Sequence, residues 1–89
     1  MTTDEAIEEF RIAAKNKKDI SMKDSKYSEM FYRAIFNKEE KRYHFFSQNF
    51  IYFYTDDYDG GDEYTTYDNL EEFIREIKNN TFYKEWERN

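Results

Sequence analysis

The sequence predicts a two-layer α+β domain: an N-terminal helix, a three-stranded antiparallel β-meander and C-terminal helices, in the order α-β-β-β-α-α. Three observations predict it. Apolar residues recur at helical spacing near both ends of the chain, and they alternate with period two through its middle. The alternating stretches are joined by turns too short for a parallel crossover. The 89 residues leave room for one core, so residues 1–89 form a single domain.

Thr2 and Glu5 have capping-box spacing, and Asp4 and Glu5 suit the positive end of a helix dipole. Ile7, Phe10 and Ala14, with Ala6 and Ala13 beside them, form one apolar stripe, which predicts a helix over about residues 4–17. Lys15, Lys17 and Lys18 fall at its negative end. Residues 18–26 are polar apart from Ile20 and Met22 and read as a loop or a short edge strand. From Ser28 the period changes. Met30, Tyr32, Ala34 and Phe36 share one face of a strand, with Phe31, Arg33 and Ile35 on the other. Residues 37–40 form a polar turn, 41–47 a second strand, Gln48 and Asn49 a tight turn, and 50–55 a third strand. The loop from Asp56 to about Thr66 contains Gly60 and Gly61, which free the backbone for a tight reversal. Asp68 caps the next helix with Glu71 as its partner, and Leu70, Phe73, Ile74 and Ile77 form the buried stripe. Asn79 and Asn80 end it. Thr81 then caps a last short helical turn that folds Phe82, Tyr83 and Trp86 back on the body.

Both helices are expected on one sheet face, leaving the other partly open and unusually aromatic. The core must be built largely from rings, because the chain has one leucine and no valine but nine phenylalanines and nine tyrosines. Phe, Tyr, Met, Ile, Asn and Lys are AT-rich in codon usage, which suggests an AT-rich genome or a mobile element in one. There is no cysteine, which removes disulfides and zinc–cysteine sites. No stretch approaches the length of a membrane span, and the N-terminus lacks the pattern of a signal peptide. A cytoplasmic protein is expected.

Charge is distributed unevenly. Residues 1–42 sum to +1 and 75–89 to +1, so the −6 of the whole chain comes from the −8 of residues 43–74. Five carboxylates, Asp56, Asp57, Asp59, Asp62 and Glu63, are interleaved there with Tyr54, Tyr58 and Tyr64. Such a field repels nucleic acid and attracts cationic surfaces. Nucleic-acid-binding proteins receive phosphates with Arg and Lys, and spaced carboxylates fit the same basic groove. The tyrosines would stack on arginine or fill apolar pockets. These eight residues are the expected partner-binding site. An ordinary solvated acidic loop is the competing reading.

Catalysis is poorly supplied. The one histidine, His44, lies within a strand beside aromatic residues, and no nucleophile-elbow, P-loop, zinc-protease or dinucleotide motif is present. The acidic loop also fails the EF-hand pattern, since counting from Asp57 the sixth position is Asp62 where glycine belongs. No enzyme activity, cofactor or resident metal is expected.

In size, acidity and element order the chain resembles the small phage-encoded anti-CRISPR proteins that inhibit type II Cas9. The resemblance implies a protein that occupies the DNA-binding or PAM-reading groove of the guide-loaded nuclease in the cytoplasm of a bacterial host. It carries over no motif residue by residue. Uracil-glycosylase inhibitors and toxin-immunity proteins are also small and acidic, so the likeness does not choose a target. The expected function is non-catalytic inhibition of a nucleic-acid-processing enzyme, with no direct binding of nucleic acid or membrane. The alternative is a structural or regulatory interaction module that pairs through an aromatic sheet face or edge strand, as a monomer with its partner or as a homodimer.

Overall fold

A computed structural model describes residues 1–24, 30–49, 63–80 and 84–88. The elements are α1 (Thr3–Lys15), β1 (Ile20–Asp24), β2 (Met30–Asn37), β3 (Arg42–Asn49), β4 (Glu63–Tyr67), α2 (Leu70–Asn79) and β5 (Trp86–Arg88). The fold is α+β. Its strands form one antiparallel sheet in the order β4-β3-β2-β1-β5, so among the described residues five strands are present.

The α1 capping box forms as expected, with Thr2 Oγ1 accepting from Glu5 N at 3.2 Å and Glu5 accepting from Thr2 N at 3.0 Å. Those bonds hold the Glu5 carboxyl below the usual glutamate range, the Thr2 backbone bond contributing most. The helix ends in a Schellman turn. Lys18 N donates to Ala13 O at 2.9 Å and Lys17 N to Ala14 O at 3.4 Å, with Lys17 left-handed at φ 55°.

Several expectations are corrected. Residues 20–24 form neither loop nor edge: β1 lies between β2 and β5 because Met22 and Ile20 point into the core, at 0% and 5% exposure. Gln48 and Asn49 are not a turn. They continue β3, paired with Phe31 and Met30 on one side and with Tyr64 and Glu63 on the other. Thr65 and Thr66, expected in the acidic loop, belong to β4. The final helical turn is replaced at its end by β5. Trp86 N donates to Met1 O at 2.7 Å, the Met1 ammonium donates to Trp86 O at 2.7 Å, and Trp86 Nε1 donates to Thr3 Oγ1 at 3.0 Å. These bonds draw the end of the chain out alongside β1, where Asp24 pairs with Trp86. The third expected strand, residues 50–55, lies outside the described residues, as do Thr81, Phe82 and Tyr83.

Both helices cover one sheet face, α1 over β1 and β5, α2 over β3 and β4. The core between is aromatic, as the composition requires. Phe73 is fully buried, its ring centroid 5.0 Å from Phe10, 5.4 Å from Phe45, 5.5 Å from Tyr67 and 6.1 Å from Tyr32. The core tyrosines keep their hydroxyls bonded. Tyr32 accepts from Asn80 Nδ2 at 2.8 Å, Tyr67 lies 3.1 Å from Ser47 Oγ, and Tyr43 shares its proton between Ala13 O at 2.7 Å and Lys18 O at 2.9 Å. The second sheet face is partly open among the described residues, with Phe31, Arg33, Ile35 and Phe46 half-buried and Gln48 5% exposed.

Candidate functional site

Asn49 pairs with Glu63 as the last described rung of the β3–β4 ladder. At the other end of β3, Arg42 pairs with Asn37 of β2. The described residues on either side of the acidic stretch, its roots Asn49 and Glu63, therefore lie at the end of the sheet opposite the β2–β3 turn, and the ladder pairs them with each other. Of the expected site residues, Glu63 and Tyr64 open β4, while Tyr54, Asp56, Asp57, Tyr58, Asp59 and Asp62 lie outside the described residues.

The ladder that carries these roots is firm. Phe45 is 7% exposed, Ser47 4% and Gln48 5%, and Phe45 also packs on Phe73 of α2. Tyr67, at the far end of β4, is bonded to Ser47 across the ladder and packed on Phe73. Burial raises the Tyr67 phenol above its usual range, and it raises Tyr32 likewise.

The α2 cap is displaced by one residue from the expected pair. Asn69, not Asp68, is the N-cap, its Oδ1 accepting from Glu72 N at 2.9 Å. Glu72 in turn accepts from Asp68 N at 3.1 Å. The displacement follows from β4, which keeps the backbone extended to Tyr67 and leaves Asp68 and Asn69 to make the bend. Glu71 has a different task. It receives Arg11 Nη1 at 2.7 Å and so ties α2 to α1, and that hydrogen bond holds its carboxyl below the usual range. Three carboxylates of the −8 segment, Asp68, Glu71 and Glu72, are thus at the head of α2, two of them engaged there through their side chains.

His44 has a surface role. Its Nε2 lies 2.6 Å from Glu40 Oε2, which also accepts from Arg42 Nε at 3.0 Å. Glu40 is held below the usual carboxylate range, by the Arg42 hydrogen bond first and the His44 bond second. No serine, threonine or lysine joins this cluster to make a nucleophile–base pair among the bonds described. A shallow cleft of about 1070 Å³ lies nearby, lined by Phe36, Lys38, Arg42, Tyr43, His44 and Tyr67 among others. It sits at the turn end of the sheet, away from the acidic roots. Among the described residues no three metal-ligating side chains converge, and no helix is long and apolar enough to cross a membrane.

The anionic character of residues 56–63 was legible from residue counts. The roots of the segment were less so: Gln48 and Asn49 read as a turn, whereas Tyr64, Thr65, Thr66 and Tyr67 are strand-favouring residues, the local signal that points to β4. No protein-family model, no curated protein and no solved structure matches this chain.

Proposed function

We propose that this protein is a non-catalytic inhibitor of a nucleic-acid-processing enzyme, a CRISPR-associated nuclease being the type of target its size and acidity suggest. The observation that carries the reading is the charge distribution: −8 over residues 43–74, with the rest of the chain close to balanced. Asp56, Asp57, Asp59, Asp62 and Glu63 stand in for phosphates, and Tyr54, Tyr58 and Tyr64 act as aromatic anchors in the partner's basic groove. Three features of the fold support it. The segment's roots are fixed in a ladder packed on an aromatic core, so little ordering entropy is lost there on binding. The lone histidine is committed to Glu40 on the surface. Asp68, Glu71 and Glu72 belong to the head of α2, so the reading places the partner contacts on the acids before Thr65. The element order that formed part of the anti-CRISPR resemblance differs here, with β5 in place of a final helix, so the proposal rests on charge rather than topology.

Affinity capture from a bacterial lysate, repeated at raised salt, tests it. A nuclease, polymerase or glycosylase recovered at low salt, lost at high salt and blocked from its DNA by the captured protein is the expected result. Failure of any such enzyme to bind overturns it.

A second reading is a self-pairing interaction module, favoured by β4, which ends the sheet among the described residues. Thr65 and Thr66 point to opposite faces and are both exposed, and β4 carries neither lysine nor proline to discourage pairing. It predicts a dimer that survives high salt. A monomer by sedimentation at high concentration excludes it.

A further inference from the structure

The fold gathers a second charged surface at the end of the sheet opposite the acidic roots. Tyr43 ties the end of α1 to the β2–β3 turn through Ala13 O and Lys18 O, Phe36 N donates to Asp19 Oδ1 at 2.8 Å, and Lys17 Nζ lies 5.8 Å from the Phe36 ring centroid. Residues 15–19 and 37–44 therefore meet. Together they carry six cations, Lys15, Lys17, Lys18, Lys38, Lys41 and Arg42, against three carboxylates, Asp19, Glu39 and Glu40. Of these acids, Asp19 holds the Phe36 amide and Glu40 holds Arg42 and His44. Five exposed lysines then face two uncommitted acids, Glu39 and Asp68, the latter lining the same cleft as Lys38 from the head of α2, and none of the five makes a salt bridge among the described residues.

Two of the lysines are placed against backbone preference. Lys17 and Lys41 have φ of 55° and 56°, the positive-φ non-glycine residues among those described, and both lie at this end. Lys17 occupies the position after a helix C-cap where glycine is favoured, and Lys41 closes the β2–β3 turn where glycine or asparagine is favoured. A side chain there carries a conformational cost that glycine would not. The helix dipole accounts for cations near Lys15 but not for Lys38 or Lys41, which are on the hairpin.

We propose that this lysine end is a docking surface for the phosphodiester backbone of nucleic acid, separate from the acidic segment. It goes beyond the proposed function and departs from the expectation that the chain binds no nucleic acid. Lysine meets phosphate as a point charge, and a phosphodiester backbone offers such charges at regular spacing, which suits five lysines spread over two chain segments; the one arginine here is taken by Glu40. The chain's net charge of −6 does not forbid such binding. The two ends of β3, Arg42 and Asn49, are roughly 23 Å apart at about 3.3 Å per residue. That is about twice the screening length of about 10 Å at 0.1 M salt, so each end acts on its own surroundings. Combined with the reading above, one end would enter the enzyme's groove while the other rests on nucleic acid held by the same complex.

The test uses the whole protein, a labelled 20-base-pair DNA duplex and a poly-glutamate peptide, with anisotropy read over a salt series. The expected result is duplex binding at 20 mM salt that weakens steeply with salt, log K falling with a slope of about −2.7 to −4.5 for three to five phosphate contacts. Lys17→Gly with Lys41→Gly is expected to raise the Tm by about 4–8 °C through backbone relief while weakening duplex binding at least fivefold. Lys15→Gln, Lys18→Gln and Lys38→Gln together are expected to weaken it tenfold or more with the Tm held within a few degrees. No duplex binding at 20 mM salt, binding unchanged in both variants, or tighter binding of poly-glutamate than of DNA overturns the proposal. The last outcome would assign the surface to an acidic protein instead. Enzyme capture is not needed for any arm, so failure here is distinct from failure of the inhibitor reading.

Discussion

Replacing Phe73 with alanine is expected to cost most of the stability of this fold. Phe73 is 0% exposed and packs on four other rings, from α1, β2, β3 and β4. Truncating a buried phenylalanine costs about 3–5 kcal/mol through lost transfer energy and the cavity left behind. The upper half of that range applies here, because the ring pairs add to plain burial and a rigid aromatic lining relaxes poorly into a void. A domain of this size is stable by about 4–13 kcal/mol. With a urea slope of about 1 kcal/mol per molar, the midpoint should fall by roughly 4 M, or the chain should be unfolded without denaturant. Trp86, 1% exposed and 5.4 Å from the Tyr32 ring, is the only tryptophan and reports unfolding by fluorescence. Ile12→Ala, at a site 49% exposed, is the control and should shift stability by less than about 0.5 kcal/mol. A fall of less than 1 M for Phe73→Ala would refute the view that this ring joins the two layers.

Two further outcomes follow from the same geometry. Asn69→Ala should cost about 1 kcal/mol by removing the α2 cap, whereas Asp68→Ala should stay within about 0.5 kcal/mol because Glu72 takes the Asp68 backbone amide, not its side chain; urea midpoints of the two variants check the order. Burial holds the Tyr32 and Tyr67 phenols above their ordinary value of 10, so their contribution is full below pH 10 and is lost as pH rises through the raised folded values. Absorbance at 295 nm should therefore show these two tyrosines ionising only together with the loss of Trp86 fluorescence, and early ionisation of all nine tyrosines with the fold intact would contradict it.

Much of this fold was legible from residues alone, and the errors share a physical origin. The α1 capping box, the α1 and α2 stripes and the β2 alternation are local signals, and each appears where the periodicity put it. The misplaced elements depend on partners distant in sequence. Residues 20–24 hold only two core side chains, and their strand exists because β2 and β5 pair on either side. Residues 86–88 are a strand because the backbone of Met1 and the hydroxyl of Thr3 hold Trp86 beside β1. Thr65 and Thr66 extend because β3 offers Ser47 and Phe46 as rungs. The charge of the acidic segment needed no structure, but the lysine end did. Its cations come from stretches some twenty residues apart, and in a linear count they vanish into the +1 of residues 1–42.

The central claim is that the carboxylates between Tyr54 and Tyr64 act as phosphates toward a basic groove. Reversing Asp57, Asp59 and Asp62 together to lysine tests it most directly, with salt-sensitive capture of the partner enzyme as readout and circular dichroism as the control for folding. Loss of capture with an unchanged spectrum and thermal midpoint is the predicted result. Full capture by the reversed protein at the same salt would contradict the claim.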